Sequence, residues 1–368
     1  MRKKLGITIT SVVVLFAVYL LCWPIKVQPV AWEAPPNPGY VEDFTPNDVL
    51  ARAQELPLGQ YSGPEAVVLD GNDVIYVSTH EGWILRSVDQ GTHFDAVINT
   101  DGRPLGLAVD ANNQLLIADA YRGLLLLTAE GALQVLVDEF DGKKLGYVND
   151  LAVAESGAIY FTDSSAKFPA KENGGTYPAS LLDIMEHGGH GRLLRYDPEN
   201  LAVTEVAHGF NFANGVAVIP TGQEGFDQVL VVETGNYRVL RFDVVDGVVM
   251  SQHVLIDELP GFPDNIARMA DGNLWLGLVS PRSALLDKLS QRPWVRSIVQ
   301  RLPAGLRPKA QHYGMVVKVS PAGAVVAQWQ DPSGHYFTTT GAAESARYVF
   351  ISRLHGPSLL RLEKTDIH

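Results

Sequence analysis

Three short stretches place an Asn or Asp between an aromatic or Pro approach and an apolar run. They are Tyr147-Val148-Asn149-Asp150-Leu151, Phe212-Ala213-Asn214-Gly215-Val216 and Phe262-Pro263-Asp264-Asn265-Ile266. A fourth, Gly63-Pro64-Glu65-Ala66-Val67, puts a Glu at the same point. Oxygen-bearing side chains at one position of a repeat converge when the repeats are arranged around an axis. Glu65, Asn149, Asn214 and Asp264, with Asn265 as a fifth candidate, then offer oxygen donors without sulfur or imidazole. Such a set suits Ca²⁺ or another hard divalent cation, with two carboxylates for charge, amide oxygens for the shell and water on the open side. A cation held in this way polarises a carbonyl and lowers the pKa of bound water, so an ester or lactone is the expected small-molecule substrate. Asp264 is also a candidate base or nucleophile. His80 and His355, in corresponding turns of the first and last repeats, are candidate general bases. The competing reading is that Asn-Gly and Asp-Asn are ordinary turn formers. Recurrence at four copies favours a site. Asp150 is directed away from its neighbour's axis, toward a second buried ion or a turn cap. No Gly-x-Ser-x-Gly elbow and no phosphate-binding Gly loop is present.

The elements that must position these residues repeat along the chain. Each unit is a turn, an apolar strand, a Gly/Asn/Asp turn and a second apolar strand. Copies begin at Glu65, Pro104, Asn149, Asn214 and Asp264, with a degenerate sixth at Gly341. Most then add an outer strand, among them Trp83-Ile84-Leu85-Arg86, Gly123-Leu124-Leu125-Leu126-Leu127 and Ser358-Leu359-Leu360-Arg361-Leu362. A spacing of roughly 40 residues or more is the period of four-stranded propeller blades. The expected fold is all-β, a six-bladed β-propeller over residues 61–368. A β-sandwich, the rival, leaves the repeat unexplained. Insertions at 167–191 and 281–314 interrupt it. The second reads as two short amphipathic helices with a basic face: a packed excursion, a lid over the central pocket, or a surface resting on a membrane.

The remaining numbers bound the partners. The chain has 368 residues, 46% hydrophobic and 19% charged, with a net charge of −12, which argues against nucleic acid. Its single cysteine, Cys22, allows no intramolecular disulfide and no Cys₂His₂ zinc site. Arg2, Lys3 and Lys4 precede an uncharged run from Leu5 to Trp23, about the length of one membrane crossing. Residues 1–23 are therefore expected to be a membrane anchor with a cytoplasmic N-terminus and the propeller on the other side. A cleaved signal peptide is the rival, but Leu20-Leu21-Cys22-Trp23-Pro24 has no small-x-small site. Residues 24–60 read as a Pro-rich stalk and lead-in.

Several segments together resemble the strictosidine synthase-like group of the gluconolactonase–paraoxonase (SMP-30-type) superfamily. They include Gly102-Arg103-Pro104-Leu105-Gly106, Ala118-Asp119-Ala120-Tyr121-Arg122-Gly123-Leu124, Val148-Asn149-Asp150-Leu151, Tyr160-Phe161-Thr162-Asp163-Ser164-Ser165 and Pro260-Gly261-Phe262-Pro263-Asp264-Asn265-Ile266. The resemblance implies a six-bladed propeller, with a central Ca²⁺ in the hydrolytic members. Glu65, Asn149, Asn214 and Asp264 match the family's ligands, and Asn265 matches a further ligand in paraoxonases. Leu105 and Ala120-Tyr121 stand where paraoxonases carry their His dyad. Thr340-Gly341-Ala342-Ala343-Glu344 offers no secure match to the Glu that strictosidine synthases need for condensation. Hydrolysis of esters or lactones is the expected activity. Amine–aldehyde condensation and a non-enzymatic binding propeller are the alternatives.

Overall fold

The computed structural model describes residues 2–367; Met1, His368 and the side chains of Arg2, Lys3, Leu5, Ala304, Asp366 and Ile367 lie outside that description. Among the described residues the strands form six four-stranded antiparallel sheets and one two-stranded hairpin, Glu139–Phe140 with Lys143–Lys144. The first strands of the sheets are Val67–Leu69, Pro104–Val109, Val148–Val153, Ala213–Ile219, Gly261–Arg268 and Thr339–Glu344. These are the repeat starts expected from the sequence, arranged as six blades about one hub.

Local chemistry sets each first hairpin. The Asp70 carboxylate accepts from the backbone N–H of Asn72 (2.8 Å) and Val74 (3.0 Å), and Asp110 does the same for Asn112 and Gln114 (both 2.8 Å). Asp73 and Asn113 sit at φ 60° and 59°, a conformation that short polar side chains tolerate. Apolar second and third strands then bury on both faces, as at Leu230, Val232, Leu276 and Val317 in one inter-blade cluster. With Cys22 exposed and unpaired, the ring is held by this packing.

Two features of the ring differ from the repeat as read. Runs such as Trp83–Ser87 and Gly123–Leu127 are third strands, and a more exposed strand lies outside each, as Asp95–Asn99 and Leu133–Val137 do. Those edge strands have a neighbour on one side only and bury little of their surface. The last blade takes its outer strand from Gln54–Pro57, pairing Gln54 with Arg361 and Pro57 with Ser358. The propeller therefore starts before residue 61, inside the expected lead-in, and the ring closes by pairing its first and last strands in chain order. Of that strand only Leu56 is buried.

The insertions form one cap. Helix α2 (Thr176–Glu186) lies in the first, and helices α3 (Ala284–Lys288) and α4 (Pro293–Arg301) in the second. Residues 24–40, expected as a stalk, are strapped across this cap. Val30 N–H donates to Glu186 O (2.8 Å), Gln28 N–H to Glu186 Oε2 (2.7 Å) and Trp32 N–H to Ser290 O (3.3 Å). The Trp32 ring stacks on His187 at 3.9 Å, and Arg282 donates to Pro35 O at 2.8 Å. A Pro-rich segment has few internal hydrogen bonds, so its free amides are available to the helices beside it. The N-terminal helix α1 (Arg2–Cys22) precedes the strap, with Ile7, Val13, Leu15 and Leu21 exposed. Among the described residues no helix is long and apolar enough to cross a membrane.

Candidate functional site

The donor residues reach the hub through a repeated backbone irregularity. Strand pairing slips between Val148 and Leu151, between Ala213 and Val216, and between Pro263 and Ile266. Each slip encloses one donor segment: Asn149-Asp150, Asn214-Gly215 and Asp264-Asn265. A bulge re-aims a side chain that strict alternation would send to a sheet face. Asn214-Gly215 is thus part of a strand rather than the turn that its composition suggests. Gly215 is required by close approach: a Cβ there would stand 2.5 Å from Ile266 N.

Glu65, Asn149, Asn214 and Asp264 all line one cavity of about 720 Å³ beneath the cap. All four are buried. Asn265 is buried beside them, its Nδ2 donating to Glu65 Oε1 (3.1 Å) and Glu65 O (3.3 Å).

Hydroxyl groups fix which end of each amide faces inward. Ser164 Oγ donates its proton to Ala213 O (2.6 Å) in the next blade, so it can only accept from Asn149 Nδ2 (2.8 Å). Thr234 Oγ1 likewise donates to Pro263 O (2.7 Å) and accepts from Asn214 Nδ2 (3.1 Å). With each amide nitrogen committed outward, the amide oxygen is left over. The consequence is a set of buried oxygens with no hydrogen-bond partner: Glu65 Oε2, Asn149 Oδ1, Asn214 Oδ1 and Asn265 Oδ1. An unmade buried acceptor costs on the order of 1–3 kcal/mol, so an electropositive partner at these oxygens would be stabilising. Hard oxygen donors with two carboxylates among them fit a divalent cation. Among the described residues no group of three or more His, Cys, Asp or Glu side chains is placed to hold a metal, so any such shell depends on the amide oxygens.

The electrostatics agree. Burial and Glu65's charge push the Asp264 carboxyl well above the usual range, against a smaller opposing effect of the Asn214 amide. Burial raises Glu65 too, opposed by the Arg103 guanidinium and the Asn265 amide. Without a counter-cation, two like charges in one dry hub resist joint ionisation.

Asp150 points elsewhere. Its Oδ2 accepts from Val216 N–H (2.9 Å), tying the third blade to the fourth. Its Oδ1 lies 2.3 Å from where a Gly106 Cβ would stand, so the second blade also closes on it. Burial raises this carboxyl to about 8. These contacts make Asp150 a tie between neighbouring blades rather than the turn cap expected from the sequence.

His355 stands outside the lining, in the turn after Tyr348–Arg353, its ring edge-on to Tyr177 at 5.6 Å. Burial, then the charges of His80, Arg103 and His312, push its pKa down. His80 is exposed. Glu344 is occupied far from the cavity lining, bonded to Lys318 (2.8 Å), Lys364 (2.6 Å) and Trp275 Nε1 (2.5 Å).

Sequence reasoning passed over four contributors. Arg103 is fully buried, donates to Thr79 O (2.9 Å) and Pro104 O (3.1 Å), and is the one cation opposing Glu65's burial among the causes of its shift. Ser164 and Thr234 orient the amides. Their signal was a hydroxyl near the end of the second strand in several blades, also visible at Ser78 and Ser352. Asp183 of α2 accepts from Ser165 Oγ (2.5 Å) and from Phe212 N–H, so the cap braces the loop that delivers Asn214.

Six antiparallel blades around a hub of inward-facing oxygens define a propeller with a central polar site. The chain belongs to the SMP-30/Gluconolactonase/LRE-like family, which it matches over residues 63–285. Adipocyte plasma membrane-associated protein of Gallus gallus is 33% identical over 379 residues, covering 96% of this chain and 87% of that protein. Its Homo sapiens counterpart is 31% identical, with coverage of 96% and 87%. Protein strictosidine synthase-like 6 of Arabidopsis thaliana is 29% identical, with coverage of 85% and 82%. In fold the chain is similar to a gluconolactonase of Xanthomonas campestris (TM-score 0.62, 21% identity, 91% and 99% covered). It is also similar to a calcium-binding regucalcin of Agrobacterium tumefaciens (TM-score 0.57, 17% identity, 84% and 93% covered). The family resemblance read from the sequence holds.

Proposed function

We propose that this chain is a divalent-cation-dependent hydrolase of lactones or esters, anchored to a membrane by α1. The observation that carries the reading is the set of four unpartnered buried oxygens on Glu65, Asn149, Asn214 and Asn265, three of them on residues that line one cavity with Asp264. Ca²⁺, or another hard divalent cation, is the partner this donor set fits. When bound it supplies polarisation of the substrate carbonyl.

The remaining roles belong to the chain. Glu65 and Asp264 supply the negative charge. Ser164 and Thr234 keep the amide oxygens of Asn149 and Asn214 turned inward. Asp264, which lines the cavity, takes the proton of the attacking water or attacks the acyl carbon itself. The cap and strap shield these groups from bulk water. Family membership and relatives named gluconolactonase support a lactone as the preferred substrate. The Glu344 carboxylate does not support the condensation alternative, because it is held in ion pairs outside the cavity lining.

Anchoring is supported by the uncharged run Leu5–Trp23, by the exposure of the apolar side chains described along α1, and by relatives named as membrane-associated. The basic residues before the run support a propeller on the non-cytoplasmic side.

The direct test is hydrolysis by the full-length protein against a panel of lactones and aryl esters. Turnover is expected to vanish on exhaustive chelation and to return with Ca²⁺ but not with a monovalent salt. Turnover that is indifferent to chelator refutes the proposal.

A further inference from the structure

The cap carries a charge and a surface that the hydrolytic reading does not use. Within residues 281–314 there are seven Lys or Arg (Arg282, Lys288, Arg292, Arg296, Arg301, Arg307, Lys309) and a single acid, Asp287. That is a net charge of +6 on a chain whose total is −12. The two buried arginines are spent internally. Arg282 binds Leu259 O (2.6 Å) and Pro35 O (2.8 Å), and Arg296 binds Met185 O (2.9 Å) and Val30 O. Lys288, Arg292 and Lys309 are exposed. Among these cations stand large apolar side chains in water: Trp294 is 66% exposed and Leu306 67%, with Leu285 of α3 and Leu181 of α2 also exposed. Exposed aromatic and aliphatic groups mixed with Lys and Arg are the composition of an interfacial surface, where apolar groups enter the headgroup boundary and cations meet anionic lipid.

The position of this surface is set by two hydrogen bonds. Arg301, the last residue of α4, donates from Nε to Trp23 O (2.6 Å) and from Nη1 to Leu20 O (3.2 Å). Those carbonyls end α1, where unpaired C=O groups and the helix dipole favour a cation. The cap is thereby fastened to the point at which an anchored helix leaves the bilayer. Trp23, itself 60% exposed, continues the same surface.

We infer that the cap, through Trp294, Leu306, Leu285 and Leu181 with their flanking Lys and Arg, rests on an anionic lipid surface, so that the cavity mouth faces the lipid headgroups. Lys26 and Lys309 line that cavity and would stand at the headgroup level. The inference rests on the anchored reading of α1 but not on any catalytic activity.

The test uses the full-length chain with Cys22→Ser and a single environment-sensitive label at Leu306→Cys. Trp294→Cys is a second labelled position, and Val88→Cys, exposed on the propeller body, is the reference. Each is placed in vesicles of phosphatidylcholine with and without phosphatidylglycerol, and headgroup-level nitroxide lipid is the quencher. Labels at 306 and 294 are expected to shift to the blue and to be quenched several-fold more than the label at 88. The difference should grow with phosphatidylglycerol and shrink in Lys288→Glu/Arg292→Glu/Lys309→Glu. Labels at 306 and 294 as wet as the label at 88 in both vesicles overturn docking. So does a blue shift already present in detergent together with a dimer mass by light scattering, because a second copy then covers the surface. Alkaline carbonate extraction separates the two readings. Retained protein with wet labels removes the docked cap alone, whereas protein released with wet labels removes the anchor as well.

Discussion

Asp264→Asn is expected to reduce lactone or aryl-ester hydrolysis by roughly 10²–10⁴-fold, the span for losing a positioned proton-transfer group. The substitution keeps the shape and one oxygen, and it removes the charge that faces Glu65. In the cation-free protein it is also expected to leave stability unchanged or raised, because burial and Glu65 already oppose ionisation of Asp264. Rate assays and thermal unfolding in chelator read the two effects on the same preparation. Full activity in this variant contradicts the role given to Asp264. A large loss of stability assigns the residue to the fold instead.

The second large effect is on stability against pH. Burial raises Asp183 to about 7 and Asp150 to about 8, and it raises Glu65 and Asp264 in the same direction. A carboxyl in the unfolded chain titrates near 4. Between about pH 6.5 and pH 8, above the range in which buried His187, pushed down to about 3, offsets them, these carboxyls make the folded protein bind more protons than the unfolded one, and stability falls as pH rises. The contribution is complete below the unfolded value and is lost through the folded values. A divalent cation at the hub should cancel the part due to Glu65 and Asp264, leaving the part due to Asp150 and Asp183. At a thousandfold excess over Kd, the cation should add about 4 kcal/mol. Calorimetric scans at acidic, neutral and mildly alkaline pH, in chelator and in Ca²⁺, test this. A chelated protein that becomes more stable between neutral and mildly alkaline pH contradicts the electrostatic picture.

Much of this architecture was legible in the sequence because the inner strands carry a double constraint. They must be apolar for the blade faces and must begin with a residue suited to the hub, so Glu65, Asn149, Asn214 and Asp264 stood out by position. Asp264 and Asn265 were both readable as candidates, although strict alternation would have separated them; the bulge that brings both to the hub is a backbone event with no residue signature of its own. Edge strands such as Asp95–Asn99, and the closing strand Gln54–Pro57, answer mainly to solvent and pairing, so their patterns are weak. The orientation of the amides depends on where Ser164 and Thr234 send their protons, a three-body fact invisible along one strand. His355 was read as a base from its turn position. The register of the last blade instead leaves it against Tyr177, outside the cavity lining. The strap was read as a stalk from its prolines, yet Trp32 and Val27 are buried beneath the cap. Long-range docking of that kind is set by partners roughly 150 to 260 residues away, such as Glu186 and Ser290.

The central claim is that the unpartnered oxygens at the hub belong to a divalent cation. Elemental analysis of the purified full-length protein after dialysis, beside a Glu65→Gln/Asp264→Asn variant, tests it most directly. A single tightly held divalent cation per chain, missing from the variant, is the predicted result. Metal content equal in the two proteins, or none in either after equilibration with Ca²⁺, contradicts it.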